Sequence, residues 1–371
     1  MPRKNRPGKK KRALPRPAKA GAEYIKTTAK NAAGLKVLNG LVLSCGKNSF
    51  CVKENETGAV FSCSIKGKIM RYKTGKTGKE AVDFCEKLFY NPLCPGDRVR
   101  FYKDSEITGR IFELEDRKNA FSRYNEKGGT RQTLASNIDQ AVIVASFAHP
   151  PWRPRFIDRV LVQCENSRIP AIIAVNKADL AHEGVLSQEE LAEIENRLCV
   201  FASLGYKVVR LCALSGEGLE ELLELLKNKT SVFTGQSGAG KSTIVNALIG
   251  DSAQKTGALV KKYDRGAHTT VKSVLLEGGK EDGRFSVIDA PGLRQFIPDV
   301  HYKNLTFCVK EFAALKVCEF GVSCTHTNEK GCSVREAVLR GEITKERWES
   351  FLALREDLKT RSFLRAGAAS G

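Results

Sequence analysis

Gly235-Gln236-Ser237-Gly238-Ala239-Gly240-Lys241-Ser242-Thr243 is the stretch that decides the fold. It follows a short apolar strand at 231–233 and opens a helix-like run at 244–248, the strand–turn–helix setting that a phosphate-binding loop requires. Glycines let backbone N–H groups turn inward around phosphates, and the helix N-terminus adds positive potential. Lys241 is placed to reach the β and γ phosphates and Ser242 to ligate Mg²⁺. A chance glycine-rich turn is the competing reading, and the setting disfavours it.

Working outward, apolar strand runs at 141–145, 171–175, 207–211, 273–276 and 285–288 alternate with amphipathic segments at 188–201 and 219–226. That alternation predicts a parallel sheet wrapped by helices. A phosphate loop alone does not choose between ATP and GTP. Asn176-Lys177-Ala178-Asp179 does, because it follows a strand at the sheet edge where loops meet ligand. A carboxylate there accepts both the N1–H and the 2-amino hydrogens of guanine, whereas adenine has no matching pair of donors. Cys212-Ala213-Leu214, after the next strand, resembles the loop by which GTPases contact guanine O6 through a backbone N–H.

Asp289-Ala290-Pro291-Gly292 fits the γ-phosphate sensor, with Asp289 on the Mg²⁺ shell and the Gly292 N–H toward the phosphate. Upstream, Arg265-Gly266-Ala267-His268-Thr269-Thr270 looks like a switch segment in which Thr269 or Thr270 offers a hydroxyl to Mg²⁺. The order is informative: a conventional GTPase runs from the phosphate loop to the asparagine–lysine pair, and here Asn176 precedes Gly235. The motifs are circularly permuted, so the γ-phosphate sensor leads directly into a C-terminal domain.

Flanking regions differ in texture. Residues 1–20 carry nine basic side chains, four prolines and no acid, within a formal net charge of +19. Such a tail does not fold alone. Binding to a polyanion is one reading and a solvated, solubilising tail the other. Residues 35–115 read as about five short strands separated by turns, Pro95-Gly96-Asp97 among them. An OB-type barrel fits, as do other small barrels. Phe50, Phe61, Phe101, Tyr102 and Phe112 could stack on bases, with core packing favoured for most of them. Cys45, Cys51, Cys63, Cys164, Cys199 and Cys212 lie among apolar residues and read as small hydrophobes. Cys318, Cys324, His326 and Cys332 form a three-cysteine, one-histidine set for which tetrahedral Zn²⁺ is the natural occupant, in a closed, structural site. No apolar run approaches the roughly 20 residues of a spanning helix, and no secretory signal is evident, which points to the cytoplasm.

Together with Pro95-Gly96-Asp97-Arg98-Val99, Asn137-Ile138-Asp139-Gln140, Ile157-Asp158-Arg159 and Ser333-Val334, these motifs make the chain similar to the small ribosomal subunit biogenesis GTPases of RsgA type. The resemblance covers almost everything after the tail. It implies a multidomain protein: an N-terminal OB-type β-barrel (35–125, RNA-binding), a central circularly permuted P-loop GTPase α/β domain (135–300) and a C-terminal zinc-binding, mostly helical domain (301–371), after a basic tail (1–34). It further implies a monomeric late assembly factor that binds GTP or GDP with Mg²⁺, contacts the small subunit and its rRNA, is stimulated by it and leaves after hydrolysis. Two departures stand out. Five residues separate Cys318 from Cys324 where the family pattern has four, and Ala267 stands where many members carry arginine or lysine.

Leu293 occupies the position where conventional small GTPases orient water with glutamine, and Gln295 comes two residues later. By resemblance His268 is the family's candidate for positioning water; a surface histidine without that task is the alternative. Slow intrinsic turnover stimulated by the subunit is expected. The competing function is an rRNA-binding assembly placeholder whose nucleotide mainly tunes affinity. An ATP-driven pump or helicase is disfavoured by Asp179 and by the lack of membrane segments.

Overall fold

Seven consecutive buried residues, Gln140–Ser146, form the strand at the centre of the fold, β9. A strand covered on both faces reads as a continuous apolar run, and its side chains still alternate between two cores. Ala141, Ile143 and Ala145 enter one core with Ile157, Val160, Ile194 and Leu198. Val142 and Val144 enter the other with Leu222, Leu226, Ile244 and Val245. Helices α1 (Pro154–Ser167) and α2 (Gln188–Ser203) therefore cover one face, and α3 (Leu219–Leu226) and α4 (Lys241–Ile249) the other. The computed structural model describes residues 36–46, 49–72, 79–81, 93–125, 130–181, 184–250, 273–279 and 283–369.

Across the sheet the order is β11 (Lys207–Arg210), β10 (Ala171–Asn176), β9, β12 (Thr230–Gly235), β14 (Phe285–Asp289) and β13 (Val274–Gly278). The first five are parallel, as the sequence predicted, whereas β13 runs antiparallel to β14. The permuted order closes because β12, late in the chain, inserts between β9 and β14. Helix α1 was not singled out in the sequence: Asp158, Arg159 and Gln163 lie among its buried and half-buried positions.

Strands β1 (Val37–Cys45), β2 (Phe50–Glu54), β3 (Val60–Tyr72), β5 (Arg98–Lys103) and β6 (Thr108–Leu114) close a barrel in the order β1-β2-β3-β6-β5-β1, with β4 (Lys79–Ala81) paired to β3. Phe50, Phe61 and Phe101 are buried in its core. Tyr102 and Phe112 are half-buried and stack on each other with centroids 4.3 Å apart. The barrel joins the GTPase sheet by backbone pairing of β1 with β13, Ser44 opposite Val274, beside a bulge at Val42/Ser44. It is also fixed at Pro95-Gly96-Asp97. Gly96 has φ +93, and a Cβ there would lie 2.1 Å from the Ser136 carbonyl oxygen. Asp97 is fully buried, yet it accepts from Arg117 (2.6 and 2.7 Å), Ser136 Oγ (2.6 Å) and the Cys94 N–H (2.9 Å). A hairpin that the sequence reading missed, β7 (Ala120–Asn125) with β8 (Thr130–Ser136), lies between barrel and GTPase sheet in the chain.

Beyond β14 come a 3₁₀ segment (Tyr302–Cys308), α5 (Lys310–Ala313), α6 (Ser333–Leu339) and α7 (Lys345–Ala369). Their core of Leu305, Phe312, Phe351, Leu354 and Leu358 also includes Val162 of α1. The same junction holds a buried charge network. Asp158 of α1 accepts from Arg197 of α2 (2.6 Å) and from Arg347 of α7 (2.5 Å), and Arg347 also grips Glu311 of α5. Burial opposes the Arg347 charge most, but attraction to Asp158 and Glu311 outweighs it and raises the pKa. Arg197 is less well served: burial lowers its pKa, and its Nε and Nη1 have no hydrogen-bond partner among the described residues, although the group lies over the Phe201 ring at 5.2 Å. Cys45, Cys51, Cys63, Cys164 and Cys212 are buried as read, whereas Cys199, on α2, is exposed. Among the described residues no helix is long and apolar enough to cross a membrane.

Removing one member of a buried, hydrogen-bonded ion network leaves an uncompensated charge, at a cost of about 3–5 kcal/mol. Arg347→Ala should lose that much stability in urea unfolding, while Lys345→Ala, at an exposed position of the same helix, should stay within about 0.5 kcal/mol.

Candidate functional site

Strand β12 delivers the chain to the C-terminal edge of the sheet, where residues 235–240 turn back into α4. Gly240 has φ +89, and a Cβ there would meet Asn176 Nδ2 at 2.1 Å, so this turn depends on glycine. At the head of α4, Lys241 is buried and its Nζ bonds Asp289 Oδ1 at the end of β14. Two residues assigned from separate motifs thus share one contact. Gly235 accepts from the Leu293 N–H (3.1 Å) and Leu293 in turn from the Ser237 N–H (3.3 Å), which stitches the phosphate loop to the segment after Asp289. Gly292 sits in that stitch, its Cα side facing Ser237. The Leu293 side chain is buried in the main core with Ala290 and Phe296, while Gln295 is exposed. Leucine here is a packing residue with no donor or acceptor to offer water.

On the base side, one buried carboxamide bridges two loops: Asn176 donates from Nδ2 to the Ala239 carbonyl (3.0 Å) and accepts at Oδ1 from the Ala213 N–H (3.0 Å). The N–H of Ala213 that a GTPase-like reading would aim at guanine O6 is thus engaged by Asn176. Lys177, with φ +61, sends Nζ to the carbonyls of His149 and Gly238 (3.2 Å to the latter). The His149 contact drew no notice in the sequence, since a carbonyl acceptor leaves no residue-type signature. Asp179 lies in a 3₁₀ turn, Ala178–Ala181, and the Ala178 N–H bonds the Leu211 carbonyl (3.1 Å), so this turn and the Cys212-Ala213-Leu214 loop lie side by side. Asp179 Oδ1 is buried with no hydrogen-bond partner among the described residues. A buried acceptor without a donor costs roughly 1–3 kcal/mol, and paired N–H donors such as those of guanine are what it lacks. Residues 265–270, including His268, Thr269 and Thr270, lie outside the described residues, as does the tail.

A second cluster forms in the C-terminal region. Cys318, Cys324, His326 and Cys332 are all buried, and their ligand atoms lie within 4.8 Å of one another. His326 Nδ1 is 3.6 Å from Cys318 Sγ and 3.4 Å from Cys332 Sγ, and those two sulfurs are 3.9 Å apart. A metal–sulfur bond of about 2.3 Å gives tetrahedron edges of about 3.8 Å, so these spacings fit one tetrahedral ion. The extra residue between Cys318 and Cys324 is taken up by a short 3₁₀ turn, Gly321–Ser323. His326 Nε2 meets Thr306 Oγ1 (3.2 Å), and the His326 carbonyl accepts from Trp348 Nε1 (2.8 Å). Ring orientation and backbone are therefore fixed by groups from the 3₁₀ segment and α7.

The RsgA GTPase family model matches residues 114–297. The small ribosomal subunit biogenesis GTPase RsgA of Chlorobaculum tepidum is 38% identical over 279 residues, which span 72% of this chain and 86% of that protein. Its namesake from Borreliella burgdorferi is 36% identical over 315 residues, 84% and 94% of the two chains. Among solved structures, YjeQ from Thermotoga maritima superposes with a TM-score of 0.62 at 28% identity, covering 87% of this chain and 99% of that one. YloQ, a circularly permuted GTPase, has a TM-score of 0.59 at 22% identity, covers 88% and 96%, and supports the fold.

Asn176→Ala strands the Ala213 N–H and the Ala239 carbonyl together, each at about 1–3 kcal/mol. GDP affinity, measured by calorimetric titration, should fall at least about tenfold with the protein still folded.

Proposed function

The chain belongs to the RsgA family of small ribosomal subunit biogenesis GTPases, and on that premise we propose that it is a ribosome-stimulated GTPase whose hydrolysis of GTP times its release from the small subunit. The observation that carries this reading is the Lys241–Asp289 contact, which brings the phosphate loop and the sensor together at the start of the path to the C-terminal domain. In this assignment Gly235–Thr243 cradles the phosphates, Lys241 neutralises the β and γ groups, and Asn176, Lys177, Ala178, Asp179, Cys212 and Ala213 frame the guanine. Mg²⁺, when bound with GTP, supplies charge neutralisation between the phosphates, and Ser242, Asp289 and one of Thr269 and Thr270 are the residues to hold it. The Gly292 N–H faces the γ-phosphate, and His268 positions the water. Leu293, buried and apolar, offers water no hydrogen bond and favours slow turnover in the absence of a partner.

The sensor has a direct route outward. Past Gly292 the chain is anchored by the Tyr124 N–H to Ile297 O (2.9 Å), the Asp299 N–H to Gln163 of α1 (2.7 Å) and Arg131 to Asp299 (3.0 Å). It then enters the 3₁₀ segment whose Thr306 touches His326. A shift at Gly292 on loss of the γ-phosphate is thereby delivered to the cysteine–histidine cluster. In the same reading that cluster holds one structural zinc, the barrel at 35–125 contacts rRNA, 135–300 is the GTPase unit and 301–371 the zinc unit, and the protein acts in the cytoplasm as a monomer.

Hydrolysis of GTP should rise strongly when purified small subunits are added, with ATP inert. Lys241→Ala should abolish the rate and block subunit maturation in cells. Unaltered maturation in that variant would instead favour the placeholder reading, which the buried Leu293 keeps in view. For the cluster, native mass spectrometry should find one zinc per chain. Cys324→Ser should release it and loosen 301–371, seen as faster amide exchange there, while GDP binding persists.

A further inference from the structure

Ser237 is the one residue of the phosphate loop that sets a side chain against the segment after Asp289. The neighbouring Gly238 and Gly240 take φ of +84 and +89, whereas Ser237 has no positive φ and carries its side chain without strain. An ideal Cβ on Gly292 would lie 3.4 Å from Ser237 Cα and 3.7 Å from Ser237 Cβ, so the two residues are in contact, and both are exposed. The Ser237 N–H is committed to the Leu293 carbonyl (3.3 Å). Its hydroxyl is therefore the donor that this residue has left, at the point where the glycine-rich loop meets the sensor.

The sensor itself is short of donors. The Ala290 N–H bonds the Phe233 carbonyl (3.0 Å), Pro291 has no N–H, and the Leu293 N–H bonds the Gly235 carbonyl (3.1 Å). The Leu293 side chain turns into the core with Ala290 and Phe296. Among the described residues, that leaves the Gly292 N–H as the donor this stretch has to offer. In phosphoryl transfer the developing charge spreads over three equatorial oxygens, and a donor already aimed at them lowers the barrier. Lys241 and one backbone N–H leave a place for a further donor on the loop side.

We propose that Ser237 is a catalytic residue of GTP hydrolysis, its hydroxyl donating a hydrogen bond to a γ-phosphoryl oxygen as charge develops there, given the assignment of the Gly292 N–H to the γ-phosphate on which this rests. The serine transfers no atom. The oxygen of water bonds to the γ-phosphorus, the bond from that phosphorus to the β–γ bridging oxygen breaks with its electron pair left on GDP, and the proton that water loses goes to the released phosphate.

The test uses the full chain with Mg²⁺, in excess over GTP and without small subunits, so that a single turnover is followed. Ser237→Ala should slow hydrolysis at least about tenfold, the loss expected for one hydrogen bond to a charged group. Affinities for GDP and for a non-hydrolysable GTP analogue should stay within about twofold of wild type, because the bond strengthens only in the transition state. Affinity for GDP with aluminium fluoride, which mimics the γ group in transfer, should fall by the same factor as the rate. An unchanged rate in Ser237→Ala overturns the proposal. So does a loss of GDP or analogue affinity that matches the loss of rate, which would make the hydroxyl a support of the loop or of ground-state binding. Failure of small subunits to stimulate the wild-type chain would bear on the release reading alone and leaves this comparison intact.

Discussion

The Asn176 carboxamide is the group on which the nucleotide site depends. One planar side chain, buried and satisfied at both ends, fixes the separation between the Ala239 carbonyl in the glycine-rich loop and the Ala213 N–H in the loop after β11. Both loops are otherwise irregular backbone at a sheet edge, held from behind by β10 and β12 through the single intervening strand β9. Lys177 repeats the bridge on the outer side through Gly238, and Leu293 repeats it on the β14 side through Gly235 and Ser237. Each connection runs from a loop to backbone, which is indifferent to side-chain identity.

The same economy of contacts governs how the three parts of the chain are held. The barrel is tied by a strand pairing and by Asp97, whose carboxylate is enclosed by Arg117, Ser136 and the Cys94 N–H. The C-terminal part is tied by Asp158, shared between Arg197 and Arg347. Buried ion networks contribute little net stability relative to apolar packing, but their geometry is demanding. They set angles and registers rather than strength.

Much of this was legible in the sequence, for identifiable reasons. The phosphate loop, Asn176–Asp179, Asp289 and the four zinc-type ligands are patterns of residue type at fixed spacing, and the structure brings each set together. Central strands announced themselves as apolar runs. Helix α1 did not, because its Asp158, Arg159 and Gln163 face partners in other segments: Arg197 and Arg347, Asp357, and the Asp299 N–H. Ile157-Asp158-Arg159 could be quoted only as a resemblance until those partners were in view. The β7–β8 hairpin was missed because its strands are mixed in polarity, and Cys199 was misread because cysteine on a helix carries no mark of which face it occupies. The pairing of β1 with β13 is a backbone contact between distant segments, and nothing in either strand's side chains encodes it.

That pairing is also where permutation matters most. In cross-strand register Phe233 of β12 lies opposite Asp289, Asp289 opposite Val274, and Val274 opposite Ser44. A single row of backbone hydrogen bonding thus runs from the strand entering the phosphate loop, through the aspartate beside Lys241, to the barrel. Strand β13 occupies this row just after the segment holding Thr269 and Thr270, and β14 ends just before the segment that leads to the C-terminal domain. Permutation places the segment before β13 and the segment after β14 on either side of one hairpin, with the barrel paired to its first strand and the C-terminal region continuing from its second. The hairpin is thus joined to both flanks, to the barrel by sheet pairing at Ser44 and Val274 and to the C-terminal region by the anchored chain between Gly292 and Thr306.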